Sequence, residues 1–271
     1  MVYPKYDRTL KFGEGKSTRH LKETVALVTR VGANGGIWPT VFGHCSARIA
    51  GNNRIYITPH FHWQGRVLQE VTADDVRVMA LGGNPLEGES IDIAEERCFH
   101  TEVYKARPDV GGVIYGHPRL SNAFADAGRD TLTVFGSKAP LIPSPGWGSA
   151  VEVGQAVAKG LGKNNRAVFW PSTTFIGPAG SPTAAPGGTV VVGKTIEEAC
   201  VTAFLLEREA EMQLFMTVLG AKPPKPVSGE KAFTPEQLAK QIEVQTALQF
   251  PYFAAMDRGP CRETRGLLFW P

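Results

Sequence analysis

The sequence predicts an α/β fold: one domain with a tail. Three observations carry this expectation. Amphipathic stretches with helix-start signals alternate with short apolar runs of strand length along most of the 271 residues. That length suits one large α/β domain or two small ones, and nothing in the composition separates the halves. Hydrophobic residues make up 42% and charged residues 20%, enough for a proper core under a wetted surface.

Residues 1–16 are expected as an N-terminal arm. Ser17 or Thr18 then caps a helix running to about Ala33, with Leu21, Val25, Val28 and Val31 on one face, and Asn34-Gly35-Gly36 ends it. The runs 43–49 and 54–59, joined by Ala50-Gly51-Asn52-Asn53, read as a β-hairpin. A capped turn, Thr72 ahead of Asp74-Asp75, leads into a strand over 76–81 that Gly82-Gly83-Asn84-Pro85 closes.

The next segment is the most informative. Glu96, His100 and Tyr104 are spaced i, i+4, i+8 and so share one face of a helix; Pro108-Asp109 breaks it, and a buried strand over 110–115 delivers His117 at its end. A carboxylate and an imidazole are thereby brought close. A helix around 121–127, a strand over 131–135, a Pro/Gly-rich loop over 140–148, a helix over 151–161 and a buried strand over 166–170 follow. After a long loop of small residues come a strand over 189–192 and a long helix over 196–219, started by Thr195 ahead of Glu197-Glu198. Residues 17–220 form the body. Residues 221–271 hold a stiff linker at Pro223-Pro224-Lys225-Pro226 and a helix from Pro235 to about Thr246, capped by the Thr234-Pro235-Glu236-Gln237 box. The end, Leu267-Leu268-Phe269-Trp270-Pro271, is too apolar for a free tail, and is expected to pack on the body or on a neighbouring subunit.

A net charge of +3 with no long Lys/Arg run sets nucleic acid aside. No run of ~18 apolar residues reads as a membrane span, and no apolar signal region opens the chain, so a cytoplasmic protein is expected. Cys45, Cys98, Cys200 and Cys261 are scattered and read as free thiols acting as small hydrophobes.

Several phrases, in this order, resemble the class II aldolase/adducin family: Gly43-His44-Cys45-Ser46-Ala47-Arg48, Ile57-Thr58-Pro59-His60, the acidic turn and strand over 71–89, the segment from Glu96 to His117, and residues 188–214. Together they span most of residues 17–220. The resemblance implies a three-layer α/β/α domain with a mixed, largely antiparallel central sheet, commonly a homotetramer with active sites between subunits. In such proteins a helix carrying a catalytic acid precedes a His-x-His pair, and with a third histidine these hold a zinc-like divalent ion. Here the three ligand positions read Tyr115, His117 and, after the strand over 166–169 where relatives carry a His-His-Gly phrase, Trp170-Pro171-Ser172. Sugar-phosphate aldolases of the family hold phosphate with an asparagine and two serines, where this chain has His44, Ala94 and Glu95. A carboxylate beside a phosphate is repulsive, so the resemblance implies a non-phosphorylated substrate.

The residues expected to carry chemistry follow. Glu96, Tyr115 and His60 are candidate catalytic groups: Glu96 as general acid/base, Tyr115 as a donor to an enolate or phenolate oxygen or as filler of the lost ligand's volume. His44, Ser46 and Trp170 are candidate substrate contacts. His117, His62 and Glu96 could rebuild a two-histidine, one-carboxylate site for Fe(II), with zinc the family's alternative. His60 and His62, two apart, share one face of an extended segment. His100 is expected as a hydrogen-bonded structural residue, and Trp147 and Phe175 as loop aromatics packed in the core or lining an apolar pocket.

Decarboxylases of the family share the GH-x-S-x-R phrase and one like Thr133-Val134-Phe135-Gly136. The leading expectation is therefore a C–C bond lyase, a decarboxylase or aldolase of a small aromatic or oxo acid, working through an enolate-type intermediate. One alternative is a non-haem Fe(II) oxygenase of a hydroxyphenylpyruvate- or mandelate-like substrate, resembling the aldolase-like proteins of aminocoumarin antibiotic pathways. The other is a non-catalytic adducin-like module.

Overall fold

A computed structural model describes residues 17–39, 42–49, 52–59, 67–87, 93–129, 131–146, 151–176, 182–221 and 234–258. The N-terminal arm, His60, His62, Trp147, Cys261 and the apolar C-terminal end lie outside these residues.

The described elements are α1 (Thr18–Asn34), β1 (His44–Ala47), β2 (Arg54–Ile57), β3 (Arg77–Ala80), α2 (Cys98–Ala106), β4 (Gly112–Gly116), α3 (Arg119–Asp126), β5 (Thr131–Val134), β6 (Ser137–Pro140), α4 (Val151–Leu161), β7 (Ala167–Trp170), β8 (Thr173–Ile176), β9 (Pro182–Ala185), β10 (Gly188–Gly193), α5 (Ile196–Val218) and α6 (Pro235–Arg258). Helix starts follow the capping residues: Ser17 accepts from the His20 amide, Thr195 from Glu198, and Thr234 and Gln237 bond reciprocally.

Six strands form the central sheet in the order β3-β2-β1-β4-β10-β7, each pair antiparallel. A parallel bridge from Leu141 to Phe169 beyond β7 gives the sheet its mixed character. Side chains alternate across the pleat, so the sheet has two apolar faces. Cys45, Ala47, Tyr56, Val78, Ile114, Phe169 and Val191 pack in one cluster with α1, α5 and Phe250 of α6. Ile55, Ile57, Met79, Val113, Tyr115, Val168, Trp170 and Val190 pack in the other with α2 and α4. This is the three-layer α/β/α arrangement. Each fully buried large side chain contributes about 1.5–3 kcal/mol.

Close approach fixes the layers at glycines. A Cβ on Gly112 of β4 would lie 2.4 Å from the Ile196 Cα at the start of α5, so only glycine lets strand and helix meet there.

The structure departs from expectation at three places. The loop expected from 140 onward begins later, because Ser137–Pro140 pairs with β5 across a turn at Phe135 and Gly136, with φ +50° and +68°. The long loop of small residues holds the β8–β9 hairpin. Helix α6 continues past Thr246 through Pro251 to Arg258. Buried Ile242, Thr246 and Phe250 make a stripe along it, Phe253 stacks on Phe204 at 4.4 Å, and Asp257 pairs with Arg30 at 3.0 Å. Tertiary packing thus holds the helix through a proline that local propensity would use as a stop. Among the described residues no helix is long and apolar enough to cross a membrane.

Candidate active site

The site forms where β1 and β4 run beneath the start of α2. Register places His44 opposite Tyr115 and Ser46 opposite Val113. Residues two apart on a strand share a face, so His44, Ser46, Val113, Tyr115 and His117 all turn toward α2. That helix brings His100 and Tyr104 over β1, as the i, i+4 spacing requires. Glu96 lies just ahead of it, in a short 3-10 turn over Glu95–Arg97, at φ −75° and ψ 17°. The turn, rather than the regular helix expected, aims the Glu96 carboxylate back at the sheet.

The polar groups form a continuous buried chain. Glu96 Oε2 lies 3.6 Å from His44 Nε2. His44 Nδ1 is 2.7 Å from His100 Nε2, and His100 Nδ1 is 2.7 Å from the Ser46 hydroxyl. Ser46 Oγ meets the Tyr104 hydroxyl at 2.9 Å, and that hydroxyl also reaches the Ser46 carbonyl at 3.1 Å. The Arg48 guanidinium covers the Tyr104 ring at 4.4 Å and donates to the carbonyls of Val110 and Arg107. Burial holds the His100 imidazole well below its ordinary range, and a positive charge there would also be repelled by one on the adjoining His44 ring, so His100 is neutral at neutral pH. Burial likewise raises the Tyr104 and Tyr115 phenols.

His117 is held from behind. Its Nδ1 donates to the Gly187 carbonyl at 2.6 Å, an oxygen that also accepts from the Asn122 amide at 2.7 Å. Burial lowers the His117 imidazole, which leaves a bare lone pair on Nε2. Tyr115 lies between the two histidines, 5.0 Å from His44 and 5.1 Å from His117 by ring centroids. Its backbone is pinned by Trp38, whose indole N–H donates to the Tyr115 carbonyl at 2.7 Å. That indole fills the space above Gly43 and Gly116, where any Cβ would strike it.

The structure thus brings together Glu96, His44, Ser46, Tyr115, His117 and Trp170; His60 and His62 lie outside the described residues. Trp170 stacks on Tyr115 at 6.0 Å and 9° between planes, and meets Phe99 at 5.5 Å. Three aromatic rings thus pack together, with Tyr115 among them beside His117. The linking role of His100 and Tyr104 was not expected. Two spacings pointed to it: His44 and Ser46 two apart on a strand, and His100 and Tyr104 four apart on a helix.

Among the described residues no group of three or more His, Cys, Asp or Glu side chains is placed to hold a metal ion. Two positions implied as imidazole ligands carry the phenol of Tyr115, kept protonated by burial, and the indole of Trp170, which has no lone pair to give. The described residues do not fit the family's metal. What they present is a carboxylate at Glu96, a bare nitrogen at His117, and the buried His44 Nε2, which makes no hydrogen bond among the described residues. Such an orphaned atom is costly unless a ligand completes it.

The family model described as Class II Aldolase and Adducin N-terminal domain matches residues 23–176. A 3,4-dihydroxyphthalate decarboxylase from Arthrobacter keyseri is 37% identical over 101 residues, 36% of this chain and 40% of the relative, less than half that relative's length. One from Terrabacter sp. is 26% identical over 202 residues, 73% of this chain and 82% of the relative. Among solved structures, L-fuculose 1-phosphate aldolase from Glaciozyma antarctica superposes with TM-score 0.63 at 20% identity, covering 94% of this chain and 93% of that one. The corresponding aldolase from Thermus thermophilus gives 0.56 at 20% identity, covering 75% and 98%. These structural likenesses concern the fold.

Proposed function

Because this chain belongs to the class II aldolase and adducin N-terminal domain family, we propose that it is a C–C bond lyase, a decarboxylase of a small non-phosphorylated aromatic or oxo acid. The observation that carries this reading is the buried Glu96–His44 contact, in which Nε2 of His44 lacks a hydrogen-bond partner among the described residues. In decarboxylation the bond to the carboxylate breaks, carbon dioxide leaves, and the electron pair stays on the substrate as an enolate or its aromatic equivalent. The N–H of His44 stabilises the developing oxyanion, and Glu96, a carboxylate in the free site, takes up a solvent proton as substrate binds and delivers it to the carbon that lost carbon dioxide. The His117 lone pair accepts from a substrate hydroxyl. The wall of Tyr115, Phe99 and Trp170 keeps water from the intermediate.

Two features support this reading over a sugar-phosphate aldolase. Exposed Glu95 stands where the resemblance puts a phosphate-holding serine. The relatives at 26% and 37% identity are named as decarboxylases of a dihydroxylated aromatic diacid, so catechol-type acids come first in a substrate panel.

The test is carbon dioxide release from that panel by wild type and by Glu96→Gln and His44→Gln. Release that both substitutions lower by at least ~100-fold supports the reading; release that neither lowers sinks it. Oxygen consumption during turnover would instead favour the oxygenase. A metal held by His117, His62 and Glu96 is a separate proposal, tested by metal analysis of wild type and His62→Ala. The tetramer implied by the resemblance is tested by light scattering, and the mass of a single chain would sink it.

A further inference from the structure

The Glu96–His44–His100–Ser46–Tyr104 chain does more than fill a buried space with satisfied polar groups. From His44 to Tyr104 every link is at 2.7 to 2.9 Å, and every link is a choice of direction. A neutral imidazole carries one N–H and one lone pair, so whatever His100 does at one nitrogen fixes what it does at the other. Two arrangements of the same protons are self-consistent. In the first, Tyr104 donates to Ser46, Ser46 to His100 Nδ1, and His100 Nε2–H to His44 Nδ1; His44 is left with its proton on Nε2. In the second each bond is reversed, Tyr104 turns its proton to the Ser46 carbonyl, and His44 faces Glu96 with a bare nitrogen.

The ends of the chain choose between them. At one end an ionised Glu96 can only accept, and a bare nitrogen at 3.6 Å from it is repelled while an N–H is attracted. At the other end Tyr104 donates in either arrangement, to Ser46 Oγ or to the Ser46 carbonyl, and the Arg48 cation over its ring favours the arrangement in which the donor hydrogens beyond it point away from that charge. Four neutral groups thus lie between a buried cation and a carboxylate, and their bond dipoles align with that field in the first arrangement alone. All four are buried, so bulk water does not compete for the bonds.

We propose that His100 is a positioning residue: held by Ser46 and Tyr104, it locks His44 in the tautomer that carries its proton on Nε2 beside Glu96. His44 and His117 are thereby presented in opposite forms. His44 offers a donor, because His100 donates to its Nδ1; His117 offers an acceptor, because the Gly187 carbonyl takes its Nδ1 proton. A donor and an acceptor flanking one carboxylate match a substrate with a carbonyl or carboxylate oxygen next to a hydroxyl. This substrate assignment rests on the lyase reading above; the tautomer assignment does not.

The experiment is nitrogen NMR of the full-length protein with labelled histidine near neutral pH, without substrate, in wild type, Ser46→Ala and Tyr104→Phe. A protonated ring nitrogen and a bare one differ widely in shift, and single-histidine substitutions assign the six histidines. Expected in wild type are neutral His44 and His100 protonated on Nε2 and neutral His117 protonated on Nδ1. In Ser46→Ala, His100 loses the donor to its Nδ1, and the Nε2-protonated share of His44 falls measurably, with only Glu96 left to favour it. A wild-type His44 protonated on Nδ1, or one whose tautomer is unchanged by Ser46→Ala, overturns the proposal. Turnover separates it from the function: Ser46→Ala is expected to lower kcat by about 10–100-fold with KM little changed. Correct tautomers in a protein that decarboxylates nothing would fault the lyase reading and leave His100 in this role. Wrong tautomers in an active decarboxylase would do the reverse.

Discussion

Acidification should destabilise this protein through His100, by an amount that can be worked out. The imidazole is fully buried, and burial holds it well below the ordinary range. In the unfolded chain it titrates near its usual value of about 6.5. Below that pH the unfolded state binds one more proton than the native state, so unfolding free energy falls as pH falls. The stability is fully present above about pH 6.5 and declines beneath it. For a ring that takes up no proton in the native state over this range, the loss is about 1 kcal/mol at pH ~5.5 and about 2 kcal/mol at pH ~5.0. His44, Ser46 and Tyr104 face the ring, and none offers a negative charge that would retain the proton. Asp109, held low by Arg107, gives a further loss at lower pH that is common to any variant. The assay is urea unfolding of wild type and His100→Gln over this range. Glutamine hydrogen-bonds without titrating, so the variant, though less stable at neutral pH, should lose about 1 kcal/mol less between pH ~7.5 and ~5.5. Equal slopes in the two proteins would refute the claim that His100 is held neutral.

Three further outcomes follow from the packing. Gly112→Ala pushes a methyl into the first turn of α5 and should cost about 3 kcal/mol, read as a drop in melting temperature; a melt unchanged within a degree or so would show that strand and helix can part. Trp38→Phe removes the donor to the Tyr115 carbonyl, so about 1–3 kcal/mol of stability should be lost in urea unfolding, with turnover falling as the end of β4 loosens. Phe250→Ala opens a cavity between α6 and the core and should cost about 3–5 kcal/mol; a neutral result would mean that α6 does not belong to the folded body.

Legibility in the sequence followed the range of the forces involved. Helix starts at Ser17, Thr195 and Thr234 depend on bonds within one turn, and they are where local chemistry puts them. The strands β4, β7 and β10 of the central sheet stand out because both faces are buried and their residues are largely apolar, as in Val190–Val192. Ser137–Pro140 and Pro182–Ala185 each carry small or polar residues and a proline, so their pairing had no apolar signal. The full length of α6 depends on contacts with Phe204 and Arg30, which no local rule contains. In the site, the family's phrases marked Glu96 and His117, and strand alternation put His44 and Ser46 on one face. The bonds from His100 to both of them cross between β1 and α2, from residues far apart in the chain, and became visible only with the fold.

The most direct test of the central claim is turnover in heavy water with catechol-type and oxo acids, product analysed by mass and NMR. A lyase in which Glu96 delivers the proton predicts release of carbon dioxide, one deuterium at the carbon that bore the carboxylate, and a loss of at least ~100-fold in Glu96→Gln with the fold intact. Full activity in Glu96→Gln, or product that carries oxygen from dioxygen in place of the carboxylate, would contradict it.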